Sequence, residues 1–220
     1  MPVDTVIFSG EGSHADAWHA FAETSAAIAN LVGEAGQVAI VTAVDHLAAA
    51  LDGARLLVVN ASADRTAPIA EDQEFGRVLD DFLAGGGGLL ALHSATIAFP
   101  QLATWRSTVG AAWERGRTFH PPIGTALIRR TDVAHPITAG LLDFEVYDER
   151  YTDLELLDGV DVETLYVHDE GGATHPLVWA RTAGSGRVVY DALGHDTRSY
   201  ESPGHVELLR RILAWLRHEC

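Results

Sequence analysis

The residues of this sequence best suited to chemistry are histidines and acids that follow predicted strands. His93 comes directly after the apolar run Leu89–Leu92, which is too short for an ordinary helix and is typical of a strand buried on both faces. In an open α/β sheet, ligands bind outside the carboxyl ends of the strands. Glu149 and His195 also lie at predicted strand ends. Because imidazole and carboxylate groups serve as general acids and bases, we predict that His93, Glu149 and His195 are catalytic residues of one solvent-accessible cleft.

The elements that must position these side chains form two halves. Up to about residue 97, apolar runs alternate with amphipathic helical stretches, which predicts a mainly parallel sheet with helices on both faces. The predicted strands of this half are Val3–Phe8, Gln37–Val44, Arg55–Asn60 and Leu89–Leu92. Ser13 and Asp16 have the spacing of a capping box, so the first helix is predicted to begin there, with Trp18 on its inner face, and to end at Gly36.

The second half is predicted to be richer in strands. A helix over Ile97–Gly110 precedes them, and a closing helix follows at His205–Arg217. Turn signals at Gly171-Gly172 and Gly184-Ser185-Gly186 join the last three strands into an antiparallel extension. The strands predicted here are Thr125–Arg129, Phe144–Tyr151, Val162–His168, Leu177–Arg181 and Arg187–Leu193.

Composition narrows the classes of function. The chain has 220 residues, of which 47% are hydrophobic, and this predicts one domain over residues 1–220. Its formal net charge of −16 predicts that it binds neither nucleic acid nor anionic membrane. No signal peptide or membrane span is predicted, and a lone cysteine, Cys220, excludes a disulfide framework, so we expect a cytoplasmic protein. A homo-oligomer is compatible with the sequence. Lysine is absent, which removes Schiff-base chemistry, whereas eleven histidines are present.

A set of short motifs in the second half occurs together in a known order. They are GGGGLLALHSA, VGAAW with FHPP, DVAHPIT, DERY, HPLVWAR and GRVVYDALGHDTRSY, and they span Gly85–Tyr200. As a set they resemble the ThuA-like family, which is named for trehalose utilisation. The resemblance implies a class I glutamine amidotransferase-like (flavodoxin-like) α/β fold with a mainly parallel central sheet, helices on both faces and an antiparallel C-terminal extension.

The resemblance also implies what the chain does not do. Glutamine amidotransferases carry a cysteine at a strand-to-helix elbow, where this chain has His93, and a late histidine near the position of His195. The only thiol is at residue 220, so a thioester mechanism has no nucleophile. Ser94 is a poor substitute, because Leu92 and Thr96 stand where a serine elbow needs glycines. We therefore expect no glutaminase activity, and a strained backbone at His93.

The family name implies a carbohydrate substrate of the trehalose or keto-glycoside type. Acid–base chemistry on such a sugar derivative, by a hydrolase, lyase or isomerase, is the first hypothesis, and no cofactor is predicted for it. His135 is interpreted as a turn residue. The residues predicted to bind the substrate are His14, His120, His175, Trp179 and Tyr200.

Two alternatives to metal-free catalysis remain open. The first is a metal-dependent hydrolase or lyase, in which Zn²⁺ is held by some of His93, His120, Glu149 and His195. The second is a non-catalytic sugar-binding or regulatory protein that has kept the pocket and lost the reaction. Elemental analysis and a turnover assay separate the three hypotheses.

Replacing Cys220 by serine is expected to leave catalysis unchanged, because a thiol at position 220 has no route to a strand-end elbow. The measurement is the turnover of a glycoside or keto-glycoside by Cys220→Ser and the parent protein side by side, with thermal unfolding as the control for folding. A folded variant without activity would contradict this interpretation.

Overall fold

The apolar runs of the sequence form the strands of a large sheet. The computed structural model describes residues 3–33 and 36–220. Its strands are β1 (Thr5–Ser9), β2 (Val38–Val41), β3 (Leu56–Asn60), β4 (Gly88–Leu92), β5 (Ala111–Ala112), β6 (Gly124–Arg130), β7 (Phe144–Asp148), β8 (Glu155–Leu156), β9 (Glu163–Glu170), β10 (Ala173–Ala183) and β11 (Gly186–Asp191). Its helices are α1 (Phe21–Gly33), α2 (Leu47–Ala50), α3 (Ala70–Ala84), α4 (Ala103–Val109) and α5 (Pro203–Leu216).

Nine strands form one sheet in the order β2-β1-β3-β4-β11-β10-β9-β6-β7. The first five are parallel neighbours, and every residue of β1, β3 and β4 is buried, as expected for strands covered on both faces. From β11 onward each neighbouring pair is antiparallel. The predicted α/β fold with an antiparallel extension is confirmed, and β11 belongs to both parts because it pairs with β4 as well as β10.

Strand direction decides where the site can form. Four antiparallel pairings separate β11 from β7, so the direction reverses four times and β7 runs the same way as the parallel strands. The carboxyl ends of β1, β3, β4, β11 and β7 therefore lie at one edge of the sheet. This is the edge at which ligands bind in open α/β sheets.

Helix α5 shows how local sequence fixes an element against the sheet. Ser202 caps its first turn by accepting a hydrogen bond from the His205 amide, and Pro203 occupies a position where its missing N–H costs nothing. One face of the helix is fully or almost fully buried, at Leu208, Leu209, Ile212, Leu213 and Leu216. The helix thereby covers the centre of the sheet.

The first helix begins later than predicted. It starts at Phe21, because the Asp16 carboxylate accepts hydrogen bonds from the amides of Trp18 and His19 and holds a turn where a helix was expected. Trp18 is consequently 67% exposed instead of lying on an inner helix face. The helix is described to Gly33, and its predicted end at Gly36 follows residues 34 and 35, which lie outside the described residues.

The helix predicted over Ile97–Gly110 is also interrupted. A 3₁₀ turn occupies His93–Ile97, and α4 forms only after Pro100, which has no N–H to donate and restricts Phe99. Among the described residues, no helix has the length and apolar character needed to cross a membrane.

Gly88→Ala is expected to destabilise the protein by roughly 1–3 kcal/mol, the usual cost of overpacking. A Cβ at Gly88 would lie 2.5 Å from the Leu216 carbonyl oxygen, and β4 is fixed by strands on both sides. Urea unfolding measures the change. The control is Gly124→Ala, whose Cβ would have its nearest neighbour at 3.8 Å. An unchanged unfolding midpoint for Gly88→Ala would contradict this packing of α5 on β4.

Candidate active site

The three side chains predicted to be catalytic meet at the carboxyl edge of the sheet. Glu149 lies between two of the histidines, with Oε2 at 3.2 Å from Nδ1 of His195 and 3.5 Å from Nε2 of His93. A third histidine, His120, reaches the other carboxylate oxygen, with Nδ1 at 3.5 Å from Oε1. The predicted convergence of these residues is therefore observed, whereas their roles stay a prediction.

The backbone of His93 is strained, as predicted for an elbow. Its φ is +42°, in the left-handed region that residues other than glycine rarely adopt. Two hydrogen bonds of 2.7 Å hold the residue there: Tyr190 Oη donates to the His93 carbonyl, and His93 Nδ1 donates to the Ala192 carbonyl. The side chain itself is buried below the cleft and not exposed to solvent, because His93 is 1% exposed, with the Tyr151 ring 4.3 Å from its own.

A fourth residue of the cluster, His19, was not predicted. It lies in the turn after β1, and its ring contacts those of His93 and His195 at centroid distances of 5.0 and 4.9 Å. One ligand atom from each of His19, His93, Glu149 and His195 lies within 4.8 Å of the others. His19 was missed because this stretch was predicted to be helical. The pair Asp16 and His19, shortly after the first strand, was a signal that could have identified it.

The hydrogen bonds of the His19 and His93 rings direct their lone pairs towards one point. His19 donates from Nδ1 to the Asp16 carboxylate at 2.8 Å and His93 donates from Nδ1 to a carbonyl, so each neutral ring carries its lone pair on Nε2. Both of these Nε2 atoms, and Nδ1 of His195, are buried without a hydrogen-bond partner among the described residues. A carboxylate faces the same point. Only a proton or a cation between these groups relieves their mutual repulsion.

The pKa values of the cluster show how strongly its charges interact. Burial favours a neutral Glu149, but the close imidazoles of His195 and His93 prevail electrostatically and hold the pKa of this carboxyl well below its usual range. Burial lowers the pKa of His195, and Glu149 more than reverses this, so the net pKa is raised. Burial is the largest effect at His19 and lowers its pKa, although the hydrogen bond to Asp16 acts in the opposite direction. In an ion-free protein, these shifts favour a protonated His195 beside an ionised Glu149.

The cluster lies at the base of a cleft of about 460 Å³. The predicted substrate residue His120 lines this cleft near its rim, with a side chain 38% exposed. Aromatic and aliphatic walls and a few polar groups are typical of small-molecule sites. The apolar walls are Trp18, Ile97, Trp113 and Tyr151, and the polar lining includes Ser62, Asp64 and Arg115.

Two residues predicted to bind the substrate are structural. Trp179 is fully buried in the sheet, donates from its indole nitrogen to the Val109 carbonyl at 2.8 Å, and packs on Tyr190, so it offers no face to a sugar. His14 does not line the cleft either. It is buried against Phe8 and Phe99, with Nε2 at 3.4 Å from an Asp72 oxygen.

The other two lie behind the cleft instead of lining it. Tyr200 stacks on His205, and its hydroxyl is buried beneath Gly194, where a Cβ would lie only 2.7 Å from that oxygen. His175 is buried, and its ring lies 5.4 Å from that of His168. Sequence position alone could not distinguish the strand faces that separate these residues from the cleft. His135 is confirmed as a turn residue, because its Nδ1 accepts a hydrogen bond from the Ile137 amide.

The fold and the cluster together define a class of protein. The sheet, its helices and the strained elbow at His93 are those of a glutamine amidotransferase-like α/β protein, with imidazole in place of the thiol. The sequence matches the family model ThuA, described as trehalose utilisation, over residues 5–216. The chain belongs to this family.

Solved structures show the same fold at low sequence identity. A ThuA-like protein of Parabacteroides merdae superposes with a TM-score of 0.81 at 18% identity, covering 100% of this chain and 91% of the other. A ThuA-like protein of Bacteroides uniformis gives 0.72 at 16%, covering 98% and 91%. A Thermoplasma acidophilum protein described as part of a GMP synthase gives 0.62 at 14%, covering 100% and 96%. A search of curated proteins finds no match.

The buried His168 behind the site is expected to make stability depend on pH. Its Nε2 donates to the carbonyl of Tyr151, which stacks on His93, but burial prevails and lowers the pKa of His168 to about 4. The folded state keeps this ring neutral, while the unfolded chain binds a proton below about pH 6.5. Above about pH 6.5, His168 therefore does not lower the free energy of unfolding. As the pH falls from 6.5 towards 4, protonation of His168 in the unfolded chain lowers this free energy progressively.

The measurement is urea unfolding of the parent protein and His168→Gln at pH 7.5 and 4.5. We expect the parent protein to lose more stability than the variant over this interval, by on the order of 2–3 kcal/mol. Equal losses in the two proteins would show that His168 titrates normally when folded.

Proposed function

We propose that this chain is a metal-dependent hydrolase or lyase that acts on a carbohydrate derivative. The divalent ion is held by His19, His93, Glu149 and His195. The observation that carries the proposal is the convergence within 4.8 Å of one carboxylate and three imidazole nitrogens, which have no hydrogen-bond partner in the part of the chain that the structure describes. Three nitrogen ligands and one oxygen ligand suit Zn²⁺ and other divalent transition metals. The cluster contains three of the four zinc ligands considered from the sequence, with His19 in place of His120.

The neighbours of the cluster support a metal centre. Histidine ligands usually donate their second N–H to a carboxylate or a backbone carbonyl, which fixes the tautomer and the ring orientation. His19 does so to Asp16, and His93 does so to Ala192. Two such fixed tautomers aimed at one point suit two nitrogen ligands of one ion.

The cleft walls support a sugar as substrate. Trp18 and Trp113 offer aromatic faces for the C–H faces of a sugar ring, and Ser62, Asp64 and Arg115 offer partners for hydroxyl groups. The ion would activate water or polarise a carbonyl of the substrate. His120, partly exposed beside Glu149, is placed to transfer a proton to or from the substrate. The family name, trehalose utilisation, supports a glycoside or keto-glycoside, and a sequence with a single cysteine fits a reducing, cytoplasmic location.

One observation favours metal-free acid–base catalysis as a second candidate. Glu149 and His195 form a 3.2 Å pair whose pKa values move apart, which is typical of an acid–base pair. Such a pair suits removal of the acidified proton beside the carbonyl of a keto-sugar. This candidate gives His19 no part in catalysis, so His19 separates the two.

The metal proposal predicts about one equivalent of divalent metal in the purified protein, or its uptake by apoprotein titrated with Zn²⁺. His19→Ala is expected to weaken binding strongly, because it removes one of four ligands. His46→Ala is the matched control, since His46 has a 74% exposed side chain and belongs neither to the cluster nor to the cleft lining. Elemental analysis and calorimetric titration measure both variants. Unchanged zinc affinity in His19→Ala, or no uptake by the parent protein, would overturn the metal centre.

Turnover is tested on a panel of glycosides and their keto derivatives, with and without chelator. Loss of turnover on chelation and its return with Zn²⁺ or Mn²⁺ supports the metal-dependent reaction. Turnover that chelator does not affect favours the metal-free candidate, and sugar binding without turnover favours a binding protein.

A further inference from the structure

The carboxylate of Asp148 connects two of the proposed metal ligands through their backbones. It is 1% exposed and does not line the cleft. Its Oδ1 accepts hydrogen bonds from the amides of Glu149 and His195, at 2.8 and 3.1 Å, and its Oδ2 accepts one from the Gly194 amide at 2.7 Å. A single buried carboxylate thus fixes the amide of one ligand, the amide of another and the residue before it.

No pairing between the described strands β7 and β11 could hold these amides together without Asp148. β7, which ends at Asp148, and β11, which precedes Gly194, are separated by three strands in the sheet. Their carboxyl ends meet only because the antiparallel part of the sheet folds back towards the parallel part. The contacts of Asp148 join these ends at the point where the ligands emerge.

The segment that Asp148 holds positions a third ligand as well. The carbonyl of Ala192, two residues before Gly194, accepts the hydrogen bond that orients His93. Gly194 itself has a φ of +115° and lies against the Tyr200 hydroxyl, so the loop takes a conformation that only glycine adopts easily. Displacing this loop would move His195 and release the ring of His93 together.

We propose that Asp148 is a positioning residue of the metal centre, which sets the spacing of Glu149, His195 and His93 by holding the loop after β11 against the end of β7. Its effect on the metal rests on the proposed function. Its effect on the loop does not. The three backbone N–H donors stabilise the buried carboxylate of Asp148 and, in doing so, fix the geometry of the loop.

The test uses Asp148→Asn, which keeps the size of the side chain but replaces one acceptor oxygen with an NH₂ donor facing backbone N–H groups. The control is Asp4→Asn. Asp4 is partly buried and is paired with Arg55 and Arg217, but it precedes β1 at the opposite edge of the sheet. Each protein is measured metal-free by residue-resolved amide hydrogen exchange and then titrated with Co²⁺, whose visible absorption reports the coordination geometry.

In Asp148→Asn, exchange at the amides of Glu149, Gly194 and His195 is expected to accelerate by on the order of tenfold or more relative to the control. Co²⁺ affinity is expected to fall by on the order of 10–100-fold, with a changed visible spectrum. Asp4→Asn should lower global stability without either effect. If Asp148→Asn does not fold, Asp148→Glu, which shifts the carboxylate by one methylene, is measured for the same changes.

The outcomes separate this inference from the proposed function. Parent-like exchange at these amides overturns the positioning role, whatever the metal result. Accelerated exchange with parent-like Co²⁺ affinity and spectrum shows that the loop does not set the metal geometry, which also overturns it. If the parent protein takes up no metal, the proposed function fails alone, and hydrogen exchange still decides whether Asp148 fixes the loop.

Discussion

The site depends on strand direction, because every strand that precedes a member of the cluster must end at the same edge of the sheet. His19 follows β1, His93 follows β4 and His195 follows β11, all of which are parallel. Glu149 follows β7, which regains that direction only after four antiparallel pairings. One fewer strand in the antiparallel part would place the end of β7 at the far edge. The number of strands in the extension is thus a requirement of the site as well as of the fold.

Electrostatics explains why such a cluster is unusual in an ordinary core. A buried polar atom without a hydrogen-bond partner costs about 1–3 kcal/mol, and three imidazole nitrogens here are in that position among the described residues. The large hydrophobic cluster of the core is built without them. Such local costs are typical of functional sites, where binding of a ligand compensates for them.

Much of this arrangement could be predicted from the sequence, and the failures have physical causes. Buried parallel strands appear as short apolar runs, and residues after them meet at one edge, which was enough to bring His93, Glu149 and His195 together. His19 was missed because an Asp16 side chain can cap a helix or hold a turn with the same spacing. Trp179 was misassigned because an aromatic residue on a strand buried on both faces shows no alternation that identifies its face.

The elbow at His93 shows how one backbone geometry can serve different chemistry. A left-handed residue between a strand and a 3₁₀ turn fixes the direction of its side chain, whatever that side chain is. With a thiol there, the same geometry would present a nucleophile. With imidazole, held at its carbonyl by Tyr190 and at Nδ1 by Ala192, it presents a lone pair at a fixed point beside a carboxylate. An imidazole at this elbow is therefore a rigid nitrogen donor, which is what the proposed metal centre requires of its ligands.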